Sequence, residues 1–162
     1  MRHATRSDLT RIVEIYNSTV PTRLATADTI PVSVDSKLPW FLAHNPDKHP
    51  ILVHEESDII LGWISFQPFY GRPAYDQTAE ISIYLAPEAR GKGLGKQLLR
   101  EALELTPRLG LKTLIGFIFS HNEPSLRLFS GFGFEDWGKM LNIAEMDGRE
   151  YSLSILGKRV TD

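Results

Sequence analysis

Cysteine is absent from the sequence. That excludes disulfides, thiolate metal sites and a cysteine nucleophile. No apolar run approaches the ~20 residues of a membrane helix. No run of like charges occurs either. Lys and Arg number 18 against 20 Asp and Glu, a net charge of −2, and the basic stripe of a nucleic-acid binder is missing. The five histidines, at 3, 44, 49, 54 and 121, lack metal-ligand spacing, so no metal is expected. Behind Met1-Arg-His-Ala-Thr-Arg there is no apolar signal region. Repeats, low-complexity segments and linkers are lacking as well. These absences point to a soluble, cytoplasmic protein with neither membrane nor nucleic acid as partner.

What remains is ordinary globular material: 42% apolar and 23% charged over 162 residues. That suits one domain, 1–162, with a real core. Ser7-Asp8 looks like a helix cap, with Leu9, Ile12, Val13 and Tyr16 at helical spacing behind it. Residues 18–34 carry two prolines and many hydroxyls and read as a long loop, a length often associated with function. A short helix near 35–44 is expected to end before Pro46. Ile51–His54 and Ile59–Phe66 read as strands joined by a turn at Glu55–Asp58. An aromatic-rich loop at 68–77 leads to a strand at Thr78–Leu85. There Ala79, Ile81, Ile83 and Leu85 face one way, and Glu80, Ser82 and Tyr84 the other. A helix from Leu94 to Leu109, about four turns, shows one apolar face. Thr113–Phe119 is a buried-type strand. Asn122 caps a helix running through Phe129 to Gly131. Two strands around Asp147-Gly148 close the chain. The order is β-α-α-β-β-β-α-β-α-β-β, a mixed α/β domain.

The stretch Glu88-Ala-Arg-Gly-Lys-Gly-Leu-Gly-Lys-Gln-Leu-Leu99 lies between a strand and a helix. It fails the dinucleotide pattern G-x-G-x-x-G, because Lys96 and Leu98 stand where glycine is required. It fails the Walker pattern too, because Gln97 follows Lys96 and position 90 is Arg90. The physics survives both failures. Glycines leave backbone N–H groups uncovered at a helix N-terminus, where an anion is favoured. Arg90, Lys92 and Lys96 add charge. On the loop alone, a plain glycine-rich turn with solvated cations explains it as well.

Arg90-Gly-Lys-Gly-Leu-Gly95, directly after Ile83-Tyr-Leu-Ala-Pro87, resembles the acetyl-CoA signature of the GNAT N-acetyltransferase superfamily. Asn122-Glu-Pro-Ser-Leu-Arg-Leu-Phe-Ser-Gly-Phe-Gly-Phe134 resembles that family's second hallmark. Ile15-Tyr-Asn17, Thr26–Asp28 and Thr78-Ala-Glu80 are similar to its phosphinothricin/methionine sulfoximine branch. The resemblance implies a single mixed-sheet acyltransferase domain, with a mostly antiparallel central sheet, a splayed strand pair and flanking helices. It implies acetyl-CoA as co-substrate. Gly91, Lys92, Gly93, Leu94, Gly95 and Lys96, with Arg90, would cradle its pyrophosphate. The backbone of Ile83, Tyr84 and Leu85 would bond its pantetheine arm, and a main-chain N–H there would polarise the thioester carbonyl. Asn122 would contact the arm, cap its helix, or do both.

The second substrate is then a small amine, and Glu80 is the candidate general base. It also reads as an outward charged strand residue. Many superfamily members place a tyrosine, and this branch often a histidine, where this chain has Phe129, which gives no proton. Tyr84 is a weaker candidate for that role. Arg72, with Pro73 and Tyr75, is the candidate reader of a substrate carboxylate. Tyr75, Trp63 and Phe66 are candidate pocket walls, and His121 a candidate neighbour of the site. Homodimers are frequent in this branch. The expected activity is acetylation of a small amino acid or analogue. The alternatives are another amine, such as a peptide N-terminus or polyamine, and a non-catalytic CoA-binding module.

Overall fold

The computed structural model describes residues 1–161. The strands are β1 (Arg2–His3), β2 (Ile51–Glu56), β3 (Ile59–Pro68), β4 (Thr78–Leu85), β5 (Thr113–Phe119), β6 (Glu135–Met146) and β7 (Arg149–Arg159). They form one sheet in the order β1-β2-β3-β4-β5-β7-β6. Every neighbouring pair is antiparallel except β4–β5. The helices are α1 (Leu9–Asn17), α2 (Val34–Leu42), α3 (Leu94–Leu105) and α4 (Glu123–Gly131). The element order expected from the sequence is the one observed.

Alternation along the strands decides which helices cover which face. Ala79 and Ile81 of β4 are buried on the side of α3, as are Ile64 and Phe66 of β3. Leu98, Leu99 and Ala102 of α3 are wholly buried there, each leucine contributing about 1.5–3 kcal/mol by burial. Gly62 lets the sheet approach this helix closely, since a Cβ there would lie 3.1 Å from Leu98 Cδ1. Phe66 is therefore core and not a pocket wall. The other face of β3 and β4 turns to α1, where Trp63 Nε1 donates to the Ile12 carbonyl at 3.1 Å.

Several boundaries differ from the sequence expectation. α3 tightens into a 3-10 turn from Thr106 to Leu109, because Pro107 has no N–H to offer Leu103. α2 begins at Val34, capped by Ser33 accepting from Ser36 N, and ends at Leu42, well before Pro46. The β2–β3 turn narrows to Ser57-Asp58, both at positive φ, as a tight hairpin requires. Asp8 does not cap α1 through its side chain; it accepts from Thr5 N at 2.7 Å and from Arg2.

The feature that positions the site is the β4–β5 pair. It lasts for three residues: Thr78, Ala79 and Glu80 oppose Thr113, Leu114 and Ile115. Beyond Glu80, β5 continues with β7 alone and β4 with β3 alone.

The Arg2 guanidinium holds the Asp8 carboxyl down at about 2, against an ordinary 3.8. A carboxyl lowered in the folded state stabilises above its unfolded pKa, and that stability fades as pH falls toward 2. Asp8→Asn should therefore cost about 1–2 kcal/mol at pH 7, with the deficit closing between pH 4 and pH 2. Chemical denaturation at the two pH values measures it.

Candidate active site

At the C-terminal end of β4 the chain turns through Gly91 and Gly93, both left-handed, with φ of 71° and 86°. Gly93 occupies the N-cap of α3 and brings no side chain to cap it. The first amides of the helix, from Leu94 to Lys96, thus have neither intrahelical partners nor a capping oxygen. Gly95 lies where a Cβ would come within 3.3 Å of Leu128 Cδ2, so it lets α3 pack close to α4. Lys92 and Lys96 are exposed and make no ion pair among the described residues. Arg90 is arranged differently: its guanidinium donates to the Leu85 carbonyl at 3.1 Å and to Ser18 Oγ at 2.8 Å. It braces the loop, leaving the lysines and amides to meet an anion.

Below this turn lies the gap between β4 and β5. The Ala86 amide bonds the Leu61 carbonyl, and Phe69 N bonds Thr78 O. In an antiparallel pair, bonding alternates along the strand. Even-numbered residues of β4 therefore bond β3; the Ile81 amide closes the last bridge to β5, and beyond it the N–H and C=O groups of Ile83 and Leu85 point into the gap. Tyr84, expected to bond the arm through its backbone, is bonded to β3 there and contributes its ring on the other face. The gap is a slot of about 50 Å³ lined by Ile81, Ile83, Phe117, Asn122 and Ser125 among others. Unpaired strand amides above and a cationic, uncapped helix end beside them fit an extended, amide-bearing chain ending in phosphates. Phe129 is buried against Gly116 and Phe134 and lines the slot without a proton to give.

A strap crosses the slot. Asn122 Oδ1 caps α4 through Ser125 N at 3.3 Å, while its Nδ2 donates to the Leu24 carbonyl at 3.1 Å. His121 Nε2 donates to the Arg23 carbonyl at 2.7 Å. Arg23 also pairs with Asp147 in the β6–β7 turn at 2.8 Å. On its other side the same loop is tied to α1: Tyr16 OH bonds both Thr26 Oγ1 and Asp28. Burial and Asp28 push the Tyr16 hydroxyl up to about 12.

On the opposite face of β4 is a cavity of about 250 Å³, at the small end for ligand sites. Cross-strand pairs form its floor in three rows: Gln67 with Glu80, Ser65 with Ser82, and Trp63 with Tyr84. Tyr16 of α1 and Lys37 and Trp40 of α2 close it. The Trp63 and Tyr84 rings stack at 4.5 Å. Glu80 makes no hydrogen bond or ion pair with another described residue, and burial raises its carboxyl above the ordinary value. Burial raises the Tyr84 hydroxyl as well.

Arg72, Pro73 and Tyr75 line a different cavity of about 490 Å³, with His49 and Asp76. One chain does not bring them together with Glu80, although Gln67 and Pro68, adjacent in β3, each line one of the two cavities. Lys37, Ser65 and Gln67 are not singled out in the sequence; the 18–34 loop is, but without its anchors at His121, Asn122 and Asp147. Period-2 alternation in β3 carries the signal for Ser65 and Gln67; Lys37 has none of its own. Among the described residues, no group of three or more His, Asp or Glu is placed to hold a metal. Among the same residues, no helix is long and apolar enough to cross a membrane.

Comparison with known proteins bears directly on this geometry. A model of the acetyltransferase (GNAT) family matches residues 10–134. A Bacillus subtilis protein provisionally named phosphinothricin acetyltransferase is 48% identical over 161 residues, 99% of each chain. The L-methionine sulfoximine/L-methionine sulfone acetyltransferase of Salmonella typhimurium is 31% identical, with 96% of this chain and 91% of that protein covered. The crystal structure of a GNAT superfamily phosphinothricin acetyltransferase from Sinorhizobium meliloti, in complex with AcCoA, superposes with a TM-score of 0.90. It is 33% identical, covering 98% of this chain and 86% of that one.

A carboxyl raised in the folded state stabilises fully below its unfolded pKa, and that contribution is lost as pH rises through the folded value. Glu80→Gln should therefore melt above the wild type near pH 7 and level with it near pH 4. Equal melting temperatures at both pH values would show that Glu80 carries no desolvation cost.

Proposed function

The chain belongs to the GNAT acetyltransferase family, and on that premise we propose that its acceptor is the amino group of a small amino acid or analogue, of the phosphinothricin or methionine sulfoximine type. It is an acetyl-CoA-dependent N-acetyltransferase. The observation that carries the acceptor reading is Glu80: a desolvated carboxylate without a protein partner, in a pocket sized for a small molecule. One strand, β4, separates that pocket from the slot.

Acetyl-CoA supplies the activated acetyl thioester. Gly91, Gly93 and the amides of Leu94, Gly95 and Lys96 hold its phosphates, with Lys92 and Lys96 as counter-charges. Ile83 and Leu85 offer backbone groups to the arm, and Asn122 flanks it. Amines of amino acids are protonated at neutral pH and are not nucleophiles until a base removes the proton. Glu80 removes it, directly or through a water. A free N–H of β4 facing the slot supports the oxyanion. Phe129 donates nothing to the departing sulfur. With an ordinary thiol pKa of ~8.5, that sulfur takes its proton from water. Arg72, beside Pro73 and Tyr75, lies in the adjoining cavity within one chain, so the α-carboxylate role read for it requires the loop between β3 and β4 of a second copy at the Glu80 pocket.

The enzyme works in the cytoplasm as a homodimer, with neither nucleic acid nor membrane as partner. Support for the dimer comes from β6, an edge strand that exposes Trp137, Leu141 and Ile143, apolar surface that a second copy would cover.

Thiol release from acetyl-CoA should be observed with phosphinothricin, methionine sulfoximine and methionine sulfone, and not with spermidine or a short peptide. The reverse pattern would replace the amino-acid acceptor. Glu80→Gln should lower kcat by ~10²–10⁴-fold with acetyl-CoA affinity unchanged; full activity at pH 7 removes Glu80 as base. Arg72→Ala should raise KM for amino acids far more than for their amides. An equal rise for both removes the carboxylate role.

A further inference from the structure

Two groups in the Glu80 pocket have no part in the reaction described above. Lys37 projects from α2, with its ammonium 4.5 Å from the Tyr16 ring centroid and 5.6 Å from that of Trp40. Its charge is held by aromatic faces and not by a carboxylate, since it forms no ion pair among the described residues. Ser65 Oγ is buried, on a residue 1% exposed, and has no hydrogen-bond partner. Buried hydroxyls are nearly always bonded, so an orphan lining a cavity marks where a ligand atom belongs.

The rows of the floor give these groups an order. Glu80 stands in the first row, Ser65 in the second and Tyr84 in the third. Tyr16, beneath the Lys37 ammonium, has its ring 5.2 Å from that of Tyr84. Lys37 therefore stands among the aromatic rings of the third row, with Glu80 in the first. An α-carboxylate sits one carbon from its amine. An acceptor that gives its amine to Glu80 keeps that carboxylate near the first row, away from the third-row rings that surround Lys37. What arrives there is the far end of its side chain.

We propose that Lys37 and Ser65 form a subsite for an oxygen-bearing, preferentially anionic head group at the end of the acceptor's side chain, of which a phosphinate is the type. This rests on the reading that Glu80 receives the amine. Lys37 supplies the charge and Ser65 a hydroxyl to one head-group oxygen. The pocket thereby selects amino acids with a polar oxo head over apolar ones of equal length.

The test compares phosphinothricin, methionine sulfone and methionine on the wild type, Lys37→Met, Lys37→Arg and Ser65→Ala. Thiol release gives kcat and KM. Quenching of Trp40 and Trp63, in the pocket wall, reports binding with coenzyme A present, whether or not turnover occurs. Lys37→Met should raise KM and Kd for phosphinothricin about tenfold or more, and those for methionine less than about twofold, with kcat little changed. Lys37→Arg should restore most of the loss. Ser65→Ala should weaken phosphinothricin and the sulfone more than methionine. An equal rise for all three ligands, or none for phosphinothricin, overturns the subsite. Phosphinothricin that binds in a Lys37-dependent way without being acetylated sinks the acceptor reading and leaves the subsite standing. Neither binding nor turnover sinks both.

Discussion

Everything in this molecule depends on two parallel strands that stop pairing after three residues. A backbone N–H or C=O removed from water needs a partner, yet Ile83 and Leu85 turn theirs toward a strand that has moved away. The fold meets this demand only in part. Arg90 reaches back to the Leu85 carbonyl, and residues 24 and 25 of the strap approach the slot. The remaining groups have the spacing that an added strand would match. Splaying is stable because each strand keeps its other neighbour, β3 for β4 and β7 for β5. The interruption therefore costs one edge of pairing and not the sheet.

β4 then serves two chambers at once. Its outward amides and carbonyls face the slot, and its even-numbered side chains floor the cavity on the opposite face. Glu80 is the last β4 residue paired with β5, so the carboxylate stands where the slot begins. Strand geometry alone sets the slot and the Glu80 cavity side by side. The helices add charge at either end: the uncapped start of α3 on one side, and Lys37 of α2 on the other.

Much of this is legible along the chain because it is local. The alternation of Thr78–Leu85 assigns Glu80, Ser82 and Tyr84 to one face, and the glycines after Pro87 mark a strand-to-helix turn. Asn122 reads as a cap and is one. What escapes the sequence comes from long-range closure. Lys37 looks like any solvated helix lysine until Tyr16 and Trp40 are folded beneath it. Arg90 sits among cations and reads as an anion ligand, but its guanidinium finds Leu85 and Ser18 first. Arg72 reads as a partner of Glu80, yet β3 and β4 carry the two residues to adjoining cavities. Tyr16, Thr26 and Asp28 are noticed separately as family-like residues, and only the folded loop shows that one hydroxyl joins them.

The strap has a kinetic side. Its anchors join residues 98 positions apart at His121 and Asn122, and 124 apart at Arg23 and Asp147. Loop closure over such separations comes late in folding. The Tyr16 hydroxyl holds the loop from α1 early, while the anchors at His121, Asn122 and Asp147 come with the later chain. A protein shortened before the β6–β7 turn would lose the Asp147 anchor of the strap and the strand that pairs with β5, while retaining every residue of the glycine loop.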